Sequence, residues 1–277
     1  MSEQFDRLVQ LMARLRAPDG CPWDRKQTHE SLKPYLVEEA YEVLEAIDRQ
    51  DSAHLREELG DLLLQILFHA QIGAEAGTFT IHEVVRLLAD KLVRRHPHVF
   101  GDVSEPGQPA NAEEVLGRWE EIKREERKRA GHPASDRPSS SLDGVPKTLP
   151  SLLRAFQIQA RAARVGFDWP HTSQGREQVF GKITEELEEL RAELDEPSST
   201  APDPRVEAEF GDVLFALVNL ARMLKVNPEE ALRKAVNRFA ERFRYIESQA
   251  ARSGRPLDEM TLAEMDVLWE EAKQRQG

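Results

Sequence analysis

Apolar residues recur along most of the chain at intervals of three and four positions, the spacing that places them on one face of an α-helix. No stretch of useful length shows the alternation of apolar and polar residues that marks a half-buried strand. The pattern therefore predicts an all-α fold. The predicted helices cover 4–16, 31–49, 52–77 and 81–95, a helix that begins at Asn111, then 149–165, 174–195, 203–225 and 228–252, and a last helix that begins at Thr261.

Residues 130–148 interrupt this helical pattern. They are rich in Gly, Pro, Ser and Asp and show no apolar periodicity, which is typical of a linker. A chain of 277 residues is also long enough for two domains of ordinary size. We therefore predict a first domain over 1–129, a linker over 130–148 and a second domain over 149–277.

One acidic motif occurs twice. The sequence Glu-Glu-x-x-Glu begins at Glu38 and again at Glu185, and each copy is followed by Glu-x-Gly-Asp at the start of an apolar helix. The interval from the second Glu to the later Glu is 19 positions in the first copy (58 − 39) and 23 in the second (209 − 186). An interval that varies between fixed ends indicates a loop that joins two helices.

Helical geometry places these acids at the edge of an apolar stripe. The stripe consists of Leu36, Ala40, Val43 and Ile47 in the first copy and of Ile183, Leu187, Leu190 and Leu194 in the second. Two antiparallel helices would then bring four carboxylates to their shared seam in each copy, where they repel one another and require a counter-charge. Oxygen ligands without Cys or His select a hard cation, Mg²⁺ or Mn²⁺. A single acidic run is usually a solvated helix face, but the repetition favours a metal site.

A second group of residues also recurs. Trp119 and Lys123 match Trp269 and Lys273, one helical turn apart in each copy. Lys91 and Arg95 likewise match Arg238 and Arg242. Singly, such residues are more often core aromatics and solvated cations. Together behind a metal site they suit a nucleotide, with cations on the phosphates and an aromatic face on the base.

Charge and cysteine content narrow the classes of function. The formal net charge of −12 disfavours general binding of nucleic acid. Cys21 is the only cysteine, which excludes an intrachain disulfide and fits a reducing compartment. The N-terminus lacks the features of a signal peptide, and no apolar run approaches ~18 residues. These features predict a soluble cytoplasmic protein.

The chain resembles the MazG family in its tandem two-domain form. The resemblance rests on Cys21-Pro-Trp-Asp24, Gln27-Thr28, both acidic motifs, Arg95–Phe100 and Val165–Trp169. It implies two tandem all-α MazG-like domains with four-helix-bundle-type cores. It also implies a Mg²⁺-dependent nucleoside triphosphate pyrophosphohydrolase, commonly dimeric, that converts NTPs or dNTPs to the nucleoside monophosphate and pyrophosphate.

The resemblance also implies roles for particular residues. The metal ligands would be Glu39, Glu42, Glu58 and Asp61 in the first copy and Glu186, Glu189, Glu209 and Asp212 in the second. The nucleotide contacts would be Lys91, Arg95, Trp119 and Lys123 in the first copy and Lys182, Arg238, Arg242, Trp269 and Lys273 in the second. The family pattern places the better-attested catalytic site in the second copy. A neighbouring carboxylate, Glu185 or Glu38, is the candidate general base.

Three alternatives remain at this stage. The same four-acid core would serve a dUTPase-like enzyme or a phosphoribosyl-ATP pyrophosphohydrolase. A helical interaction module would carry the acids as solvent-exposed faces. A di-iron carboxylate bundle is disfavoured, because it requires Glu-x-x-His and neither copy supplies it.

Overall fold

The computed structural model of the protein describes residues 3–101, 111, 114–115, 117–119, 122, 125–126, 140–195 and 203–276. Every long regular element in these ranges is an α-helix, which confirms the predicted all-α fold. The chain divides into two compact units, between Ala134 and Ser135. The linker predicted at 130–148 lies largely outside the described residues, so the limits of the two domains stay predictions. None of the helices in the described ranges has the length and apolar character needed to cross a bilayer.

The first unit contains six described helices before its last, partly described segment. They are α1 (Glu3–Arg16), α2 (Pro22–Lys26), α3 (Lys33–Asp48), α4 (Ser52–Glu75), α5 (Ile81–Arg95) and α6 (Pro97–Phe100). Of the helix predicted to begin at Asn111, positions 114–115, 117–119, 122 and 125–126 are described, and all are helical.

Local hydrogen bonds explain where these helices begin. The Asp51 carboxylate accepts the backbone N–H groups of Ala53 and His54 at the start of α4. Thr80 and Glu83 form a capping box at the start of α5. Helix α3 begins at Lys33 rather than at the predicted Ser31. The Ser31 hydroxyl instead accepts the Thr28 N–H at 2.9 Å, and this bond closes a turn before the helix.

The core of the first unit lies where α1 and α5 pack on α4. Its buried residues are Met12, Leu32, Leu67, Phe68, Ala70 and Ile81. Partly buried side chains of α1, including Phe5 and Leu8, pack against them. Burial of this apolar surface is the main favourable term for the unit, and it fixes α4, the helix that carries two of the predicted ligands.

The second unit repeats the helix pair, with one described helix before it and two after it. Its helices are α7 (Ser151–Arg164), α8 (Ser173–Asp195), α9 (Pro204–Met223), α10 (Pro228–Ser253) and α11 (Leu262–Gln276), with a 3₁₀ turn over Leu257–Glu259. Helix α10 ends at Gly254, whose positive φ of 68° is the left-handed conformation that commonly terminates a helix. Thr261 and Glu264 bond reciprocally before α11, as the predicted capping box requires.

The apolar stripes predicted on α3 and α8 are only partly buried within the chain. Ile183 is buried and packs with Val179, Ala216 and Met223. Leu187 and Leu194, however, are 49% and 64% exposed. In the first copy Ile47 is 51% exposed. One pair of helices therefore covers only part of each apolar face within the single chain.

A buried ion pair fixes the turn that precedes α8. The guanidinium of Arg222 on α9 donates to both carboxylate oxygens of Asp168, one of them at 2.8 Å, and to Asn219 Oδ1 at 2.8 Å. The side chains of Arg222 and Asp168 are only 9% and 15% exposed. Burial opposes ionisation of Asp168, but Arg222 outweighs it and holds the pKa of the carboxyl below its usual value.

We predict that Asp168→Asn lowers the free energy of unfolding by about 3 kcal/mol, because it leaves the Arg222 charge buried without its counter-charge. Chemical denaturation monitored by circular dichroism measures this change. The control is Asp19→Asn, which breaks the exposed pair with Arg14 and is expected to leave the unfolding midpoint unchanged. Equal stability of both variants would show that the Asp168 pair contributes nothing.

Candidate metal centre

In the first copy, helices α3 and α4 bring acids together across a three-residue turn. One carboxylate oxygen each of Glu39, Glu58 and Asp61 lies within 4.8 Å of the others. Glu58 is 7% exposed, although it is a charged residue. The turn contains Gln50 with a positive φ of 54°, which reverses the chain tightly enough for the helices to pair.

The second copy reproduces the cluster on α8 and α9. Here Glu186, Glu209 and Asp212 each place an oxygen within 4.8 Å of the others. Glu186 is the buried member, at 7% exposure, and Asp212 is exposed. Three of the four acids predicted in each copy therefore meet in one place, even though the connection between the helices differs in length.

The fourth acid of each copy lies beside the cluster. Burial, followed by the charges of Asp61 and Glu42, raises the pKa of Glu39 above its usual value. In the second copy, burial and the charge of Glu186 raise the pKa of Glu189. Glu42 and Glu189 are thus close enough to act on the clusters electrostatically, without belonging to the sets of oxygens that lie within 4.8 Å.

The donor sets fit a hard divalent cation. Each cluster offers only oxygen atoms, and its like charges repel unless a cation lies among them. The first cluster has a further oxygen within reach, because Gln65 donates from Nε2 to Glu39 Oε1 at 3.4 Å while its own Oε1 is buried without a hydrogen-bond partner among the described residues.

The basic residues beside the two clusters differ. In the second, Lys182 Nζ lies 2.6 Å from Glu186 Oε1 and 2.9 Å from Glu185 Oε1. In the first, His54 Nδ1 lies 3.1 Å from Glu58 Oε1. Glu185 itself is exposed and held by Lys182, and it is outside the group of oxygens formed by Glu186, Glu209 and Asp212.

Two of the predicted nucleotide contacts of the second copy come together on α10 and α11. The Arg242 guanidinium lies 5.6 Å from the centre of the Trp269 ring. Phe239 packs on the same ring, with 5.2 Å between ring centres. Arg238 is exposed one turn before Arg242. Lys273, one turn after Trp269, lies 2.8 Å from Glu270.

The corresponding group of the first copy has a different partner. Arg95 and the neighbouring Arg94 each approach a Glu126 oxygen at 2.6 Å. The hydrogen bond from Arg95 outweighs burial and lowers the pKa of Glu126 to about 2. Trp119 packs edge-on against His96, with 4.8 Å between ring centres. Lys91 is partly exposed, and the predicted contact Lys123 lies outside the described residues.

Gln65, His54 and Glu126 had no part in the sequence analysis. Gln65 lies four residues after Asp61, so it projects from the same face of α4, and a helical projection could have found it. Glu126 interacts with Arg95 across 31 positions of sequence, and no local sequence pattern indicates a contact over that distance.

Comparison with known proteins finds one family twice along the chain. The family model of the MazG nucleotide pyrophosphohydrolase domain matches residues 27–100 and, a second time, residues 174–246. A nucleoside triphosphate pyrophosphohydrolase/pyrophosphatase of Thermotoga maritima is 48% identical over 270 residues, which cover 97% of this chain and 95% of the relative. A nucleoside triphosphate pyrophosphohydrolase of Escherichia coli is 45% identical over 275 residues, with 99% and 98% covered. A Bacillus subtilis protein named YabN is 48% identical over 98% of this chain, which corresponds to 52% of its own length.

The raised pKa values of Glu39, Glu58 and Glu189 predict the pH dependence of the metal-free protein. Above the ordinary carboxyl pKa of 4.5 the unfolded chain releases protons that the folded clusters retain, so stability falls as the pH rises through this range. Melting temperatures in EDTA should therefore decline as the pH rises above the ordinary carboxyl pKa of 4.5. Glu39→Gln should reduce the decline, and a metal-free protein without any decline would contradict the prediction.

Proposed function

The chain belongs to the MazG family, and we propose that it is a Mg²⁺-dependent nucleoside triphosphate pyrophosphohydrolase whose products are the nucleoside monophosphate and pyrophosphate. The observation that carries the proposal is the cluster of Glu186, Glu209 and Asp212 oxygens, with Lys182 beside it. The names of the full-length relatives support the activity. The oxygen-only donor set supports Mg²⁺, with Mn²⁺ as a substitute.

The acids that would hold the cation in the second copy are Glu186, Glu209 and Asp212. Mg²⁺ bound there would supply charge stabilisation on the phosphates and orientation of the attacking water. The α-phosphorus is the electrophile, because its attack by water yields a monophosphate and pyrophosphate. A bond forms between the water oxygen and this phosphorus, and the bond to the oxygen that bridges to the β-phosphorus breaks.

The proton of the attacking water needs an acceptor near the cluster. Glu189 suits this role better than Glu185. Glu189 lies beside Glu186, and burial together with the neighbouring acids raises its pKa and so its basicity. Glu185 is already bound to Lys182.

Basic residues of the second copy would bind the triphosphate. Lys182 lies at the cluster, where it can move from Glu186 to a phosphate oxygen. Arg238, Arg242 and Lys273 would neutralise the charge that gathers on the departing pyrophosphate. The face of Trp269 would stack on the base, a contact that tolerates different bases.

We also propose that the protein acts as a homodimer. Seven large apolar residues of α8 and α9 are between 39% and 64% exposed, namely Phe180, Leu187, Leu194, Phe210, Leu214, Phe215 and Leu217. The three on α8 recur every seven residues and form one stripe. Two such helix pairs related by a two-fold axis would bury both stripes in a four-helix bundle.

Glu186→Gln tests the assignment of the site. The amide keeps the shape of the side chain but removes the charge that holds the cation, so hydrolysis should fall by about 100-fold or more. The measurement is product analysis of ATP with Mg²⁺, where AMP and pyrophosphate are expected rather than ADP and phosphate. The control Glu188→Gln, on the exposed side of α8, should retain wild-type rates. Wild-type turnover in the Glu39→Gln/Glu186→Gln double variant would contradict the proposal.

Substitutions on the exposed stripe test the dimer. Leu194→Glu and Leu217→Glu place charges on the proposed interface, away from the acids, and are expected to convert a dimer into a monomer. Light scattering coupled to size-exclusion chromatography gives the mass directly. A monomeric wild-type protein, or variants that remain dimeric, would rule out this interface.

A further inference from the structure

A buried amide adjoins the acids of the first copy. Gln65 is 5% exposed and lies one turn after Asp61 on α4. Its Nε2 donates to Glu39 Oε1 at 3.4 Å, while its Oε1 has no hydrogen-bond partner in the part of the chain that the structure describes. A buried amide oxygen without a donor is costly, and a cation is one partner that would satisfy it.

The dimensions of this contact suit coordination. A half-turn of the amide exchanges its oxygen and nitrogen and places Oε1 where Nε2 lies, 3.4 Å from Glu39 Oε1. Neighbouring oxygens in the octahedral shell of Mg²⁺ are about 3 Å apart. Gln65 and Glu39 are therefore spaced like two ligands of one cation, and amide oxygens are among the ligands that hard cations accept.

The second copy lacks this amide and has a lysine beside its acids instead. Ala216 follows Asp212 at the interval at which Gln65 follows Asp61. Lys182 precedes Glu186 by four residues, and the residue at that interval before Glu39 is Tyr35. Lys182 already occupies an oxygen of Glu186, at 2.6 Å. A bound metal must share or displace that contact, whereas the Gln65 amide adds an oxygen without adding positive charge.

The first copy also uses its predicted phosphate-binding arginine elsewhere. Arg95 forms a two-point contact with Glu126, through Nε at 3.2 Å and Nη2 at 2.6 Å to the same oxygen Oε2. The residue seven positions after Trp119 is Glu126, whereas the residue seven positions after Trp269 is the uncharged Gln276. A phosphate that approached Arg95 would have to displace a carboxylate that Arg94 also holds.

We propose that the first copy is a divalent-cation site that fills without nucleotide, with Gln65 as a ligand beside Glu39, Glu58 and Asp61. The inference rests on the proposed function, a metal-dependent hydrolase, but it gives the two copies different metal ligands. The second copy takes its cation together with a triphosphate, which draws Lys182 away from Glu186. The first copy has no lysine at that position, and the basic residue beside its acids is His54, on Glu58 rather than on Glu39. We expect it to bind the cation alone.

The test is a titration of the full-length, EDTA-treated protein with Mn²⁺ in the absence of nucleotide, with free Mn²⁺ measured by electron paramagnetic resonance. We expect a tight class and a weak class of site in each chain. Glu39→Gln should abolish the tight class, and Glu186→Gln should abolish the weak class. A single class, or the reverse assignment, would overturn the proposal.

Substitutions of Gln65 separate a ligand from a hydrogen-bond donor. Gln65→Leu should weaken the tight class by about 10- to 100-fold. Gln65→Glu keeps an oxygen at the site and should retain tight binding, although it loses the N–H donor. A Gln65→Glu variant as weak as Gln65→Leu would exclude the ligand role. The matched control is Gln159→Leu. Gln159 is also a buried amide whose Oε1 has no hydrogen-bond partner among the residues that the structure describes, but its Nε2 donates to the Phe215 carbonyl oxygen. It should leave the tight class unchanged.

Tyr35 and Lys182 each lie four residues before a glutamate of their cluster. Exchanging them tests whether the lysine charge weakens metal binding. Tyr35→Lys should weaken the tight class by about tenfold or more, and Lys182→Tyr should strengthen the weak class. Effects in the opposite directions would overturn the argument. Circular dichroism of the metal-free variants establishes that each remains folded. Because the readout is Mn²⁺ binding without nucleotide, it is independent of hydrolysis. Failure of the proposed activity would instead appear as absence of AMP and pyrophosphate from ATP.

Discussion

Repulsion between carboxylates at the seam of two helices is the constraint on which the rest of the structure depends. Glu39, Glu58 and Asp61 would separate if only electrostatics acted on them, and burial of Glu58 adds a desolvation cost. Packing of α3 against α4 across the tight turn at Gln50 opposes that separation, and apolar packing of α4 against α1 and α5 fixes the helix that carries two of the three acids. The fold thus holds charges in a geometry that favours a cation, at a cost in the stability of the metal-free protein.

Exposed apolar faces and acidic clusters occur on the same helices for a related reason. A helix that presents acids at the edge of its apolar stripe can bury that edge against one neighbour, but the rest of the stripe then faces outward. Leu187 and Leu194 show this on α8, whose buried side carries Val179 and Ile183. A second helix pair on the outer side would complete the core without covering the acids. The proposed dimer and the metal site therefore follow from one arrangement of residues.

The sequence predicted the helices and the meeting of the acids because both depend on local spacing. The repeat of Glu-Glu-x-x-Glu and Glu-x-Gly-Asp indicated which acids would face one another, and three of four do so in each copy. Long-range contacts had no such signal. Glu126 contacts Arg95 across 31 positions, and the sequence around either residue does not indicate that they meet. The exposure of Leu194 also had no local signal, since an apolar stripe looks the same whether its own chain or another one covers it.

The presence of two acidic helix pairs in one chain leaves the two copies free to diverge in the basic residues beside the acids. The backbone geometry constrains the acids, because each must reach the same small volume from its own helix. Residues one turn away are less constrained, and at these positions the copies differ: Tyr35 against Lys182, and Gln65 against Ala216. A lysine beside the acids competes with the cation until a phosphate removes it, which couples metal binding to substrate. An amide does not compete with the cation, so metal binding at that copy does not depend on substrate. In the proposed arrangement, a single turn of helix on either side of a common acidic core is sufficient to make one copy substrate-dependent and the other a standing cation site.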